Sequence, residues 1–298
     1  MYNWISLIVP AALLVAAPLA DAAQNLSRRA SVAADAAIEV SNIEGRIDVS
    51  AWDRNEVELT ALLESDKDRL EFEATDRQVR IKVVKPKGHY DDDSNDAILT
   101  LSIPRGARLS AQTVSADVTV AGVKGEQRLN TVSGDVWTEA YDQPVGLRTI
   151  SGDGTIRGTG GKAAVSIESV SGSVEASGIR GGLDGEAVSG SLKVDIAAAE
   201  RLVMKTISGD IDARAELTPT ARVEMESISG TIGLTIKSPV NAEFDAESFS
   251  GDIDSCFGTK ARDKSSYGPG SELSFTQGSG GARVRIESMS GDIKVCDR

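Results

Sequence analysis

The chain has 298 residues, 32 Lys and Arg against 45 Asp and Glu, a formal net charge of −13 and only 4% aromatic residues. An acidic balance of this size argues against nucleic acid and against passive adsorption to anionic lipid. A single histidine (His89) and two cysteines leave no Ser-His-Asp or Cys-His arrangement and no zinc ligand set, so no catalytic residue, metal site or cofactor is expected.

The chain opens on Ile5–Ala20, strongly apolar with two prolines, followed by the small-residue pattern Ala20-Asp-Ala22. This predicts a secretory signal peptide over residues 1–22 and an exported mature chain. No cysteine stands near the cleavage point, so no lipid anchor is indicated, and no later stretch reaches membrane-spanning length.

Residues 23–110 read as an irregular β-rich region. Ile38–Val40, Ile47–Val49, Val57–Leu59, Leu70–Phe72, Val79–Val83 and Ile98–Ile103 each alternate apolar with polar, the period of a half-buried strand. Only Leu59–Arg69 has weak helical character. The loop 86–96, with Asp91, Asp92 and Asp93, reads as solvated surface, since its clustered acids lack the spaced glycines of a calcium loop. Segment Ile43-Glu-Gly-Arg-Ile47 echoes the motif that follows and is a candidate degenerate first coil. The region is expected to cap a stack whose open end would otherwise expose unpaired backbone.

From residue 111 one hexapeptide recurs. Thr131-Val-Ser-Gly-Asp-Val136 has relatives whose serines fall at 115, 133, 151, 171, 189, 208, 229, 250 and 290. A step of 18 to 21 residues until the last predicts stacked coils, each strand, corner, strand and loop. The expected fold is an all-β parallel β-solenoid of about nine coils over 111–298. At about 4.8 Å per coil, the stack would be some 40 Å long.

Period two places Val132, Gly134 and Val136 inward and Thr131, Ser133 and Asp135 outward, with Thr or Ser standing at the bend. The glycine column carries Ala116 once, which argues for a space limit rather than a need for positive φ. The copy Ser151-Gly-Asp-Gly-Thr-Ile156 reads as a two-residue insertion that keeps its phase. Trp52 and Trp137 are expected to pack in the core or cap.

The outward column Asp117, Asp135, Asp153, Asp210, Asp252 and Asp292 is a candidate surface ladder for cations or for acid–base work on polysaccharide. Adjacent like charges repel, and Ser173, Ser191 and Thr231 interrupt the column, so a structural role beside the Ser-Gly turn is the expectation. Cys256 and Cys296 each stand six residues after a repeat serine. Lys260–Gly281 holds no motif and reads as a long loop or hairpin, which makes their coils neighbours and a disulfide feasible at about one coil spacing.

The stretch Gly45–Trp52 (GRIDVSAW), the many Thr-Val-Ser-Gly-Asp-Val copies and the closing Gly280–Ile293 together resemble a large family of bacterial envelope proteins. That family is catalogued as a domain of unknown function and labelled candidate adhesin, and the resemblance spans roughly 38–296. It implies a secreted or surface-exposed β-solenoid, sometimes linked to envelope-stress systems, and it offers no catalytic residues to carry over. The expected function is therefore a non-enzymatic cell-envelope binding or structural module, in the periplasm or at the cell surface of a bacterium, with an envelope protein or glycan as partner. Its rivals are a polysaccharide-active β-helix enzyme and a periplasmic partner of an envelope-stress sensor.

Overall fold

The computed structural model describes residues 23–85, 96–263 and 269–297. The leader 1–22 and the loop carrying His89 and Asp91–Asp93 lie outside the described residues. All regular structure among the described residues is β, in 24 strands joined into one hydrogen-bonded sheet, with most pairs parallel. The segment Leu59–Arg69 is not helical: Glu56–Leu63 is a strand whose Val57, Leu59, Ala61 and Leu63 alternate into the core.

The sheet folds into two walls. Along the first, Ala37–Asn42, Arg108–Thr113, Gln127–Thr131, Val145–Thr149 and Ala163–Ser169 stack in parallel, one residue directly above its repeat equivalent. Along the second, Gly45–Trp52, Asp117–Ala121, Val136–Ala140 and Gly154–Gly158 do the same. Three long strands, Val174–Ala187, Leu192–Thr206 and Ile211–Ser227, then run from the second wall into the first wall of the next coil. The segment Ile43–Ile47 is the first corner: the Ser115 amide donates to Ile43 O at 2.7 Å, as later corners do to the one before. The strand Arg108–Thr113 crosses position 110, so the N-terminal region and the repeats share a wall.

Val, Ile, Leu and Ala fill the space between the walls, because alternation from both strands points a β-branched or aliphatic side chain inward at every second position. At the N-terminal end the sheet continues through Gln78–Val84 and Ala97–Pro104. Antiparallel pairing of Arg69–Ala74, Glu56–Leu63 and Gln24–Ser31 then closes it. At the other end Ser271–Gln277 pairs antiparallel with Ala242–Ser248. Phe244 stacks there on Phe275 with ring centroids 4.5 Å apart, and Phe257 tilts against both.

Stacking order departs from sequence order at the C-terminal end. Ala282–Ser288 pairs with Ile211–Ser227 on one side and with Ala242–Ser248 on the other. Ile293–Asp297 likewise lies between Ile232–Ile236 and Ile253–Ser255. The last coil in sequence is therefore inserted beneath the one that precedes it. Cys256 and Cys296 fall on these adjacent coils and are joined by a disulfide, Cα to Cα 4.7 Å.

Candidate functional site

Each repeat corner reverses one part of the period-two reading. Thr131 is buried, Val132 and Ser133 are both exposed, and Gly134 and Val136 point inward again. The bend lies at the Val-Ser pair, not at the Thr. The reason is hydrogen bonding. A corner leaves buried backbone groups without ladder partners, and the inward hydroxyl three residues earlier satisfies them. The Gly134 amide donates to Thr131 Oγ1 at 3.0 Å, and Gly209, Gly230, Gly251 and Gly291 do the same to Thr206, Ser227, Ser248 and Ser288 at 2.8–2.9 Å. Thr149 instead donates to Gly152 O at 2.7 Å. In the first corner Asn42 takes this place, its amide donating to Glu44 O and Ala97 O at 2.9 Å each.

The glycine column is a space limit, set by the neighbouring coil rather than by the facing wall. A Cβ on Gly190 would stand 2.0 Å from Gly172 O, and one on Gly230 would stand 1.8 Å from Gly209 O. None of these corner glycines has positive φ. Ala116 is tolerated because it is the first of the column and sits above the differently built corner at Gly45. Gly154 is not part of an insertion: it pairs with Val136 and Val174 in the valine column, where Leu147 fills the space its missing side chain leaves. Trp137 and Trp52 stand half-buried on outer faces rather than in the core; Trp52 donates its Nε1 to Glu56 O and carries Arg54 over its ring.

The consequence for the surface is a column of apolar side chains pointing into solvent. In stacking order it runs Ile43, Val114, Val132, Ile150, Val170, Val188, Ile207, Ile228, Met289 and Phe249, each 39–60% exposed. Backbone bonds between consecutive corners hold it in register: the Ser133 amide donates to Val114 O, Ser151 to Val132 O, Ser290 to Ile228 O and Ser250 to Met289 O, all 2.8–3.0 Å. All the large apolar side chains exposed among the described residues stand in this column. Single exposed apolar residues are ordinary, but a contiguous row marks an interaction surface.

The column is flanked by carboxylates on both sides. Two residues before each apolar position stands an outward row in which Glu168, Glu186, Glu226, Glu287 and Glu247 outnumber Arg148 and Lys205. Both cations are paired within the row, Arg148 to Glu168 at 2.6 Å and Lys205 to Glu226 at 3.1 Å. Two open grooves run between this row and the column. One of about 570 Å³ passes Ile228, Met289 and Phe249, and one of about 430 Å³ passes Ile150, Val170, Val188 and Ile207.

On the far side lie the exposed corner serines and then the Asp column. The structure brings Asp117, Asp135, Asp153, Asp210, Asp252 and Asp292 into one file, each exposed. Their carboxylates tie coils together rather than capping their own turns. Asp117 Oδ1 accepts the Asp135 amide and Asp135 Oδ1 the Asp153 amide, both at 2.9 Å. Asp153 accepts from Ser173, Asp210 from Thr231 and Asp292 from Asp252 at 2.8–3.0 Å. Among the described residues no three His, Cys, Asp or Glu side chains are grouped to hold a metal ion.

Sequence reasoning missed the apolar column because it extended strand alternation across the bend. A usable signal was present. Between copies the residue after Thr varies from Val to Phe while the next-but-one stays Gly or Ala, and one thin core cannot accommodate both patterns.

A family model described as Toastrack DUF4097 matches residues 35–296. No curated protein matches. Among solved structures, a candidate lipid-binding protein from Parabacteroides distasonis is 14% identical, with 91% of this chain and 96% of that chain covered and a TM-score of 0.48. A candidate adhesin from the same species is 13% identical, with 92% and 97% covered and a TM-score of 0.40. A candidate adhesin from Bacteroides fragilis is 12% identical, with 91% and 97% covered and a TM-score of 0.36. With TM-scores below 0.5, none of the three bears on the residues of the corner.

Proposed function

From the premise that the chain belongs to the Toastrack DUF4097 family, we propose that it is an exported cell-envelope module that binds through the outer corner of its stack and carries out no chemistry of its own. The observation that carries this reading is the apolar column: ten corner residues held in solvent by the backbone of the coil itself. These side chains are 39–60% exposed, so burying the remainder of one is worth roughly 1 kcal/mol, and a partner must cover several together to gain appreciable affinity. The Cys256–Cys296 disulfide supports export, since such bonds persist in oxidising compartments.

Eight of the ten column residues are Val or Ile and only Phe249 is aromatic, which favours a protein partner over a glycan, because sugar rings are bound on aromatic platforms. The Asp column supports a structural role, one oxygen of most of its carboxylates being engaged by an amide of the adjacent coil. Partition onto envelope fractions of the source cells tests the proposal. Residues 23–298 should co-sediment with the envelope, and the triple substitution Val170→Ser, Val188→Ser, Ile207→Ser should abolish this without shifting Tm. Equal co-sedimentation of the two proteins would overturn the corner as the working surface.

A further inference from the structure

We infer that the occupant of the corner column is a cationic amphipathic α-helix laid along the stack; this rests on the corner being the working surface. Two observations select it: the spacing of the column and the charge on its flanks.

The column offers one apolar side chain per coil, and coils are spaced by about 4.8 Å. A helix offers one side chain per turn on a given face, with a pitch of about 5.4 Å. The mismatch is about 0.6 Å per turn, so four turns stay within half a step. An extended strand repeats on one face every 6.6 Å or so and slips a whole step within three contacts. The groove beside Ile150, Val170 and Val188 gives the helix a concave seat.

Charge then decides the composition of the helix edges. On one flank five glutamates stand against Arg148, Lys205 and Arg285, which pair with Glu168, Glu226 and Glu287, so the border keeps a net negative charge. On the other flank, from Asp117 to the end of the stack, the Asp column contains only Asp, Ser and Thr. A narrow apolar strip between two acidic borders is complementary to a helix with an apolar stripe bordered by Lys or Arg on both sides, whose long stems lie against the strip while the heads reach the carboxylates. A second copy of this chain would match the 4.8 Å spacing but would set acidic border against acidic border in either orientation, which opposes pairing. An anionic lipid surface is disfavoured for the same reason.

The test uses residues 23–298 with the disulfide intact and a labelled 18-residue Leu/Lys peptide with its leucines on one helical face. A control peptide has the same composition in an order that scatters the leucines. Fluorescence anisotropy should show saturable binding of the first peptide, at least about tenfold tighter than the second. Val170→Ser with Val188→Ser should weaken it about tenfold or more. Glu186→Gln with Glu287→Gln should weaken it severalfold and flatten its salt dependence, with unchanged thermal melts for all variants. Equal affinity for the two peptides, or indifference to Val170→Ser with Val188→Ser, would overturn the inference. So would concentration-dependent self-association that those same substitutions abolish, since it would assign the column to a second copy. If the peptide fails while envelope co-sedimentation still depends on the column, the helix is wrong and the corner stands. If co-sedimentation is also indifferent, both fall.

Discussion

At the corner, three adjacent residues have three different physical jobs. Thr131 turns inward to hold an amide, Val132 is left in solvent, and Gly134 lets two backbones meet. The inward glycine was legible in the sequence, because a period near twenty repeated one small residue at a phase where apolar residues stood. The inward threonine was not, since polarity alone places a hydroxyl outside and only the corner's unpaired amide explains its burial. Gly190→Ala should therefore destabilise by about 2–3 kcal/mol, its Cβ meeting a backbone oxygen that cannot step aside. Ser189→Ala, on an exposed side chain, should change stability by no more than about 0.5 kcal/mol. Urea denaturation midpoints compare the two, and equal small losses would contradict the backbone contact. Asp68 supplies a second test at this scale. It is 4% exposed, its Oδ2 has no hydrogen-bond partner among the described residues, and burial raises its pKa above the ordinary value despite the opposing influence of Lys85. The folded state thus binds this proton more tightly than the unfolded state, and stability falls as pH rises from the unfolded value toward the raised one. Asp68→Asn should gain about 1 kcal/mol at pH 7 and nothing below about pH 4, checked by melts across that range. A variant less stable than the wild type at pH 7 would contradict this.

Among elements, the coils were legible wherever the motif recurred at constant spacing, and the order of the last two was not. The spacing made the cysteine coils neighbours, as the structure has them, because equal offsets from the repeat serine mean equal places in the coil. It carried no information on which of the two lies deeper, since both present the same edges to a neighbour. Insertion of Ile293–Asp297 between Ile232–Ile236 and Ile253–Ser255 gives the chain's end two hydrogen-bonding partners. An ordinary solenoid loses its terminal coil with local effect, because repeats contact only their neighbours. Here deletion of residues 282–298 should open a gap between two coils and expose Phe244, Phe257 and Phe275. Near-native melting of the truncated protein would contradict the inserted order. Thiol titration of denatured, unreduced protein should find no reactive thiol, and two per chain would deny the bond. Replacing both cysteines by Ala should cost roughly 3–4 kcal/mol in the chain-entropy model for a separation of 40 residues.

The whole molecule is a stack of coils whose two outer walls are polar and whose corner edge is not. The repeat and its strand alternation were enough to read an all-β, mostly parallel stack, while the antiparallel strands at its two ends had no motif to announce them. With the Asp file bonded to backbone amides, Tm should be the same in EDTA and in millimolar calcium. A calcium-dependent rise of about ten degrees would make the file a cation site instead. Everything proposed about binding depends on the residue after Thr pointing out and the Thr itself pointing in. Single-cysteine labelling measures that directly, since the native thiols are joined to each other. In folded protein, Val170→Cys should react with a maleimide at close to the rate of an unfolded peptide. Ser169→Cys, at a position 5% exposed, should react at least about a hundredfold more slowly. The reverse order would put the apolar column in the core and remove the surface on which the account rests.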